Sequence, residues 1–130
     1  DEAETKLQDV EDRIERHLAT LLDRTDGVPM PSLRLIQAPV FHGYSFSLWI
    51  EFDNAPPVDE IEEALGSDLI DVHSGDVEPP TNVSVVGQGG VAVGAIAPDR
   101  NNGNAVWMWM AADNFRLAAE SAALIAREVI

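Results

Sequence analysis

The chain has 130 residues, and its 8 Lys+Arg against 23 Asp+Glu give a formal net charge of −15 at pH 7. An acidic surface repels nucleic acid and anionic lipid, so neither is expected as a partner. The length fits one domain, and the 45% apolar content is too high for a disordered chain. The chain has no cysteine, which excludes disulfides, thiolate metal sites and a cysteine nucleophile among these residues.

Neither a membrane-spanning segment nor a signal peptide is predicted. The apolar runs fall far short of the roughly 20 residues that cross a bilayer. The first residues also lack the basic and apolar regions of a signal peptide. A cytoplasmic location and no membrane partner are therefore expected.

The first predicted element is an amphipathic helix over residues 2–23. Leu7, Ile14, Leu18 and Leu21 recur at helical spacing, with charged residues between them. A linker with two prolines and a glycine, over residues 25–31, ends this helix.

From residue 33 onward the apolar residues alternate with polar ones, as in half-buried strands. Strands are predicted over 33–40, 44–52, 69–72, 82–86, 91–97 and 105–111. A short helix is predicted over 59–65 and a closing helix over 113–130, and the glycine-rich stretch 87–90 is predicted as a hairpin turn. This order predicts an α+β fold with a mixed, mainly antiparallel sheet and helices on one face.

The last predicted strand is apolar on both faces. Trp107 and Trp109 point to one face, and Met108 and Met110 point to the other. Both faces should therefore be covered. We expect helices of this chain to cover one face and a second subunit to cover the other. In the alternative, helices of this chain cover both faces.

Residue types alone indicate no catalytic or metal site. His17, His42 and His73 have no ligand spacing, and only His42 lies in a turn between predicted strands. The acidic residues of 59–63 lack the order of a calcium-binding loop. The sequence from Gly87 to Ala92 matches G-x-G-x-x-A, but a strand is predicted where a dinucleotide-binding motif requires a helix.

Two sequence runs resemble the aspartate-semialdehyde dehydrogenase family. The run over residues 39–45, P-V-F-H-G-Y-S, is similar to the family's R-V-P-V-F-x-G-H-S, and A-D-N-F-R over 112–116 is similar to A-D-N-L-R. Weaker similarities occur at 79–81, to Y-P-T-P, and at 93–99, to V-G-R-I-R-x-D. The likeness covers essentially the whole chain.

The resemblance implies the C-terminal dimerisation and substrate domain of an NADP-dependent oxidoreductase. Such enzymes interconvert aspartyl phosphate and aspartate semialdehyde through a cysteine thioester and hydride transfer. It implies one domain over 1–130, similar to the C-terminal domain of glyceraldehyde-3-phosphate dehydrogenase-like enzymes. The cofactor-binding domain and the nucleophilic cysteine are expected upstream of this chain. No cofactor is expected within the chain itself, although the full-length protein could bind NADP. The expected partners are the upstream cofactor-binding domain and a second copy of this chain, joined through the sheet face.

The family's charged site residues differ in this chain. Tyr44 stands where the family has its general-base histidine, and Gln37 stands where it has the arginine that binds the substrate carboxylate. Ala95 and Ala97 replace both arginines of G-R-I-R. Glutamine cannot form the charged, two-pronged bond of arginine, and a tyrosine hydroxyl ordinarily titrates near 10 against about 6.5 for histidine. Impaired catalysis is therefore expected.

Two further residues gain a role only through the resemblance. Asn114 matches a position that could contact a nicotinamide, with capping of the last helix as the alternative. Lys6 matches a phosphate-contacting lysine weakly, with a solvated helix residue as the alternative. The alternative to a catalytic role for Tyr44 is a structural one, in which its ring packs in the strand and its hydroxyl forms a hydrogen bond to a nearby group. The alternative for the whole chain is a non-catalytic dimerisation or interaction module.

Overall fold

The computed structural model describes residues 7–25, 27–38 and 40–129. The chain forms two compact units, Asp1–Pro39 and Val40–Ile130. The first contains helix α1, Leu7–Leu22. The second contains strands β1 (Tyr44–Glu51), β2 (Ile70–His73), β3 (Val91–Pro98) and β4 (Ala105–Ala112), with helices α2 (Val58–Leu65) and α3 (Asn114–Val129). The prediction that residues 1–130 form one domain stays a prediction.

Helix α1 follows the predicted apolar stripe and ends where the linker begins. Its last turn is closed by backbone bonds from Asp23 N–H to Ala19 O and from Thr25 N–H to Leu22 O. Gly27 then takes a positive φ of 82°, which a residue with a side chain rarely adopts. Residues 2–6 of the predicted helix lie outside the described residues.

The strand predicted over 33–40 is wrong for the described residues of that stretch. The backbone there is irregular, and the N–H of Leu35 donates to the Glu11 carboxylate of α1 instead of to a neighbouring strand. The alternating pattern supplied an apolar face, but no strand of the described residues pairs with this stretch. A strand needs a hydrogen-bonding neighbour, and this stretch has its donor satisfied by a side chain.

The four strands form one mixed sheet in the order β1-β4-β3-β2. β4 pairs antiparallel with both β1 and β3, and β2 pairs parallel with β3. The predicted α+β class and the mainly antiparallel sheet are confirmed. β1 lies at one edge of this sheet, and no strand of the described residues pairs with its outer side.

Helix α2 packs on one face of the sheet. Ile61 joins Val93, Val106 and Met108 in a buried cluster, with Met110 packed against it. Pro57 precedes the helix with extended backbone, and the Gly66 N–H closes its end by donating to Glu62 O. The methionines of β4 therefore lie on the sheet face that α2 covers.

The strand predicted over 82–86 is also wrong, because this segment is a compact turn. The hydroxyl of Thr81 accepts from Ser84 N–H, the Ser84 hydroxyl accepts from Thr81 N–H, and Val85 N–H donates to Thr81 O. Serine and threonine side chains here take the backbone groups that a strand would need. Val85 instead packs on Ala92 and Ala111, which covers one end of the second sheet face. A strand, β3, follows Gly90, so the helix that a dinucleotide motif requires is not formed there.

A β-bulge interrupts β3 opposite β4. Gly94 pairs with Trp109 and Ala97 pairs with Trp107, so two residues of β3 face one residue of β4. Ala95 adopts a φ of 50°, in the left-handed region that glycine occupies in bulges of the G1 type. The methyl group of alanine makes this conformation unfavourable by roughly 1–2 kcal/mol.

Replacing Ala95 with glycine should stabilise the protein by up to about 1 kcal/mol, because relief of the left-handed strain exceeds the added chain entropy. Ala97→Gly is the matched control in the same strand, and should destabilise by about 0.5–1 kcal/mol. Denaturant unfolding of the two variants measures both effects. Equal destabilisation by both substitutions would contradict the strained conformation of Ala95.

Candidate functional site

A single carboxylate, that of Asp113, joins three segments beside the start of α3. Asp113 is 4% exposed. Its Oδ1 accepts from the N–H groups of Phe115 and Arg116, each at 2.9 Å, which caps the helix. Its Oδ2 accepts from Gly87 N–H at 2.7 Å, which ties the 82–87 turn to the same point.

The environment of Asp113 favours its ionised form. The backbone N–H of Arg116, the backbone N–H of Gly87 and the His42 imidazole lower the pKa of this carboxyl well below its usual range. Burial acts in the opposite direction and is outweighed. Asp113 is therefore a fixed negative charge inside the fold at any pH near neutrality.

His42 brings the third segment, the turn before β1, to this carboxylate. Its Nε2 lies 2.9 Å from Asp113 Oδ2, at an angle outside the range of a regular hydrogen bond. The imidazole also packs against the Phe115 ring, with centroids 5.3 Å apart. Both contacts fasten the turn to the first residues of α3.

Asn114 adds a second link between the same turn and α3. Its Oδ1 accepts from the Gly43 N–H at 3.1 Å. Gly43 has a φ of 94°, and a Cβ there would lie 3.3 Å from Ala112 O, so only glycine fits without adjustment. The capping alternative for Asn114 is wrong, because the carboxylate of Asp113 makes the helix cap. The nicotinamide contact of Asn114 stays a prediction.

Tyr44 follows this turn directly and is the first residue of β1. Its side chain is 51% exposed, and its ring lies 6.2 Å from that of Phe46. Cross-strand pairing with Ala112 sets it one residue from Asp113. The structure thus brings Tyr44, Asn114 and His42 to one end of the β1–β4 pair, although the catalytic role of Tyr44 stays a prediction.

The remaining predicted site residues are Gln37, Lys6 and the alanines that replace the family's arginines. Gln37 is an exposed residue of the first unit, in a stretch without regular structure, and its role stays a prediction. Lys6 lies outside the described residues. Ala95, which the resemblance matches to a family arginine, lies in the β3 bulge, where the backbone is distorted.

The sheet face opposite α2 carries a pair of tryptophans. Trp49 and Trp107 are direct cross-strand partners and are 44% and 45% exposed. Both indole N–H groups donate to Asp99 Oδ2, at 3.0 and 2.8 Å. The N–H groups of Asn101 and Asn102 donate to the same carboxylate and fix it in the 99–104 turn. These hydrogen bonds and those of the two indoles lower the pKa of Asp99, and the bond from Asn101 has the largest effect. We call Trp49, Trp107 and Asp99 the tryptophan face.

Two structural absences accompany this site. Within the described stretches, His, Asp and Glu side chains form no group of three that could hold a metal ion. Among the helices formed by those residues, none is both long and apolar enough to cross a membrane.

The family model for "Semialdehyde dehydrogenase, dimerisation domain" matches residues 6–117. This match spans both units of the chain and includes the turn, β1 and the start of α3. The chain belongs to this family. The semialdehyde dehydrogenase domain therefore has the Tyr44 turn and the Asp113 cap within its matched region.

Similar proteins agree with this assignment. The chain is 35% identical over 104 residues to an aspartate-semialdehyde dehydrogenase of Rickettsia bellii and 31% identical over 103 residues to that of Rickettsia typhi. Each alignment covers 76% of this chain and 30% of the relative. The chain thus spans less than a third of the length of these curated relatives.

Solved structures share the fold of the domain. A probable aspartate-semialdehyde dehydrogenase from Pseudomonas aeruginosa matches with a TM-score of 0.63 and 27% identity, over 72% of this chain and 28% of that one. Aspartate semialdehyde dehydrogenase II from Vibrio cholerae, in a complex with ASA, matches with a TM-score of 0.61 and 26% identity, over 71% of this chain and 29% of that one.

The sequence reasoning placed the last helix correctly but missed what holds its first turn. An aspartate immediately before a helical pattern is a recognisable capping signal, so the cap of Asp113 was accessible from sequence. Its bonds to Gly87 and His42 were not, because they join residues 26 and 71 positions away and no local pattern reports such distances.

Asp113 makes acid stability the test of this cluster. Because its pKa is lowered in the folded protein, its contribution is complete above about pH 4, the range of an unfolded aspartate, and is lost as the pH falls further. Asp113→Asn should therefore lower stability at neutral pH and flatten the loss of stability in acid. Denaturant unfolding at several pH values measures this, with Asp76→Asn, the same charge change in an exposed turn, as control.

Equal pH profiles for the two variants would show that Asp113 is not the acid-sensitive link. A shallower profile for Asp113→Asn alone would confirm it.

Proposed function

We propose that this chain is the C-terminal dimerisation and substrate domain of an NADP-dependent oxidoreductase similar to aspartate-semialdehyde dehydrogenase, impaired for the standard substrate and inactive as this fragment. The observation that carries the proposal is the family match over residues 6–117 combined with Tyr44 at the family's histidine position. The architecture around that position is intact, whereas its proton-transfer group is different.

The side chains of this domain would act on substrate only by positioning and weak proton transfer. Tyr44 would offer a hydroxyl group where the family has the imidazole that accepts a proton. Gln37 would offer an amide to a carboxylate, without the charge and paired donors of a guanidinium. A cysteine nucleophile would have to come from elsewhere, because these 130 residues contain none.

Among the described residues, Asn114 is the proposed contact of this domain with a nicotinamide cofactor. The Asn114 Oδ1 accepts from the Gly43 N–H. Its NH₂ group, which has no hydrogen-bond partner among the described residues, would donate to a carboxamide oxygen. The glycine-rich 87–90 stretch leads into β3 and cannot cradle a pyrophosphate at a helix N-terminus. NADP, which supplies hydride acceptance when bound, would therefore be held mainly by the proposed upstream cofactor domain.

Homodimerisation through the sheet is the second part of the proposal, and the tryptophan face supports it. Two half-exposed indoles on one sheet face are the kind of aromatic anchor that dominates protein interfaces. Asp99 satisfies their N–H groups and fixes their orientation, so both rings are ordered before a partner arrives. Helix α2 already occupies the opposite face, which leaves this one for the second copy.

Two other functions remain in competition with the first. A non-catalytic dimerisation or interaction module is favoured by the loss of the family's cations at residues 37, 95 and 97. Reduction of a different acyl substrate is favoured by the exposure of Tyr44, which leaves it accessible to a ligand. We also propose a cytoplasmic location, which fractionation of the source cells would test.

Restoring the family residues should restore activity. In the full-length protein, Tyr44→His with Gln37→Arg should raise NADPH formation from aspartate semialdehyde, phosphate and NADP⁺ by about 10²–10⁴-fold, the usual contribution of a positioned acid–base group. Tyr44→Phe with Gln37→Asn changes the same positions without adding a base or a cation, and should leave the low rate unchanged.

Rapid turnover by the wild-type protein would refute the impairment. No turnover by either variant would favour the non-catalytic module, and wild-type turnover of another semialdehyde would favour the altered substrate.

The tryptophan face should control self-association. Trp49→Ser or Trp107→Ser should weaken the dimer by about 30-fold each, as expected for interface hot spots. Sedimentation velocity over a concentration series measures the dissociation constant. Phe46→Ser is the matched control, because Phe46 is 44% exposed on the same strand but on the opposite face. A wild-type chain that stays monomeric at high concentration, or equal effects of all three substitutions, would exclude this interface.

A further inference from the structure

The charge of this chain is far from balanced, and its fold offers little to offset it. The sequence carries 23 acidic and 8 basic side chains. Like charges brought together by folding repel each other, so an excess of this size destabilises the compact state. The cost falls with ionic strength, because the range of the repulsion shrinks from about 30 Å at 0.01 M salt to about 3 Å at 1 M.

Few described carboxylates are neutralised by an arginine. Within the described ranges, arginine–carboxylate pairs within 4.0 Å are Arg116–Glu120 at 3.2 Å and Arg34–Glu11 at 4.0 Å. The side chain of Arg34 is 82% exposed, so the second pair is weak. Asp113 and Asp99 accept bonds from N–H groups of the protein. The exposed carboxylates without such partners among the described residues depend on solvent ions for screening.

Helix α2 shows the repulsion at its most concentrated. Its eight residues, V-D-E-I-E-E-A-L, contain four carboxylates and no basic side chain. Asp59 and Glu63 are spaced four residues apart and Glu60 and Glu63 three apart, spacings at which like charges on a helix repel. Asp59 and Glu60 lie in the first turn, where the helix dipole favours them, whereas Glu63 lies beyond it. Yet Ile61 of this helix must reach the core.

The core that opposes this repulsion is small. Its largest fully buried side chains are Val93, Val106 and Pro80, and the second buried cluster consists of Val85, Ala92 and Ala111. Helix α3 contributes no buried residue among those described. Because folded proteins are stable by only a small margin, electrostatic repulsion decides whether such a core holds.

We infer that the fold of this chain is conditional on monovalent salt well above about 0.15 M, with screening of the acidic surface as the stabilising event. The inference concerns the fold and does not depend on the proposed oxidoreductase or dimer. It assigns no bound ion: the acidic side chains stabilise the fold when their field is screened, whichever monovalent cation screens it.

Thermal unfolding of the 130-residue chain, followed by circular dichroism in KCl, tests the inference. The melting temperature should rise by at least about 10 °C between about 0.05 M and 1 M, and should flatten above that as the screening length approaches atomic dimensions. NaCl in place of KCl should give the same curve.

A charge-neutralising variant separates screening from the general effect of salt on apolar surfaces. Glu60→Gln, Glu63→Gln and Asp68→Asn together, all at exposed positions, should raise the melting temperature in low salt and lose this advantage at about 2 M. The matched control, Glu60→Asp, Glu63→Asp and Asp68→Glu, keeps the charge and should keep the wild-type salt dependence.

Three results would overturn the inference. The first is a melting temperature that is the same at about 0.05 M and 2 M KCl. The second is a linear rise without flattening that the neutralised variant shares, because this is the signature of salt exclusion from apolar surface. The third is a chain that stays unfolded at every salt concentration.

Discussion

The second unit depends on one buried negative charge. Asp113 receives three backbone N–H groups and faces one imidazole, and these groups come from the start of α3, the 82–87 turn and the turn before β1. Among the described residues of these segments, Val85 is the one buried apolar side chain. The carboxylate of Asp113, which is 4% exposed, therefore holds these segments together, as hydrophobic packing does in larger domains.

Local patterns predicted the elements whose stability is local or whose partners are adjacent. The alternation from Tyr44 to Phe52 and the apolar run of β4 gave correct strands, and Pro57 and Gly66 correctly bounded α2. The two wrong strands share one cause. Glu11 takes the N–H of Leu35, and the hydroxyls of Thr81 and Ser84 take the backbone groups of the 82–87 turn, so side chains replaced the partner that a strand requires.

The candidate site was predictable only through family resemblance, because its residues are not a recognisable constellation in sequence. Tyr44 and Asn114 are 70 positions apart, and the Gly43 bond that relates them depends on β1 pairing with β4 in one register. The same register pairs Trp49 with Trp107. The pairing of β1 with β4 therefore positions the residues of both the proposed substrate site and the proposed dimer interface.

The outer side of β1 has a further consequence. Alternate residues of this eight-residue strand present backbone donors and acceptors along an edge where no described strand pairs, and Glu51 is the only charge in the strand. Natural edges usually carry lysines, prolines or bulges that prevent another chain from adding to the sheet. This edge has none of these, so partially unfolded copies produced alone would tend to grow open-ended aggregates, and loss of protein to precipitation would precede loss of secondary structure.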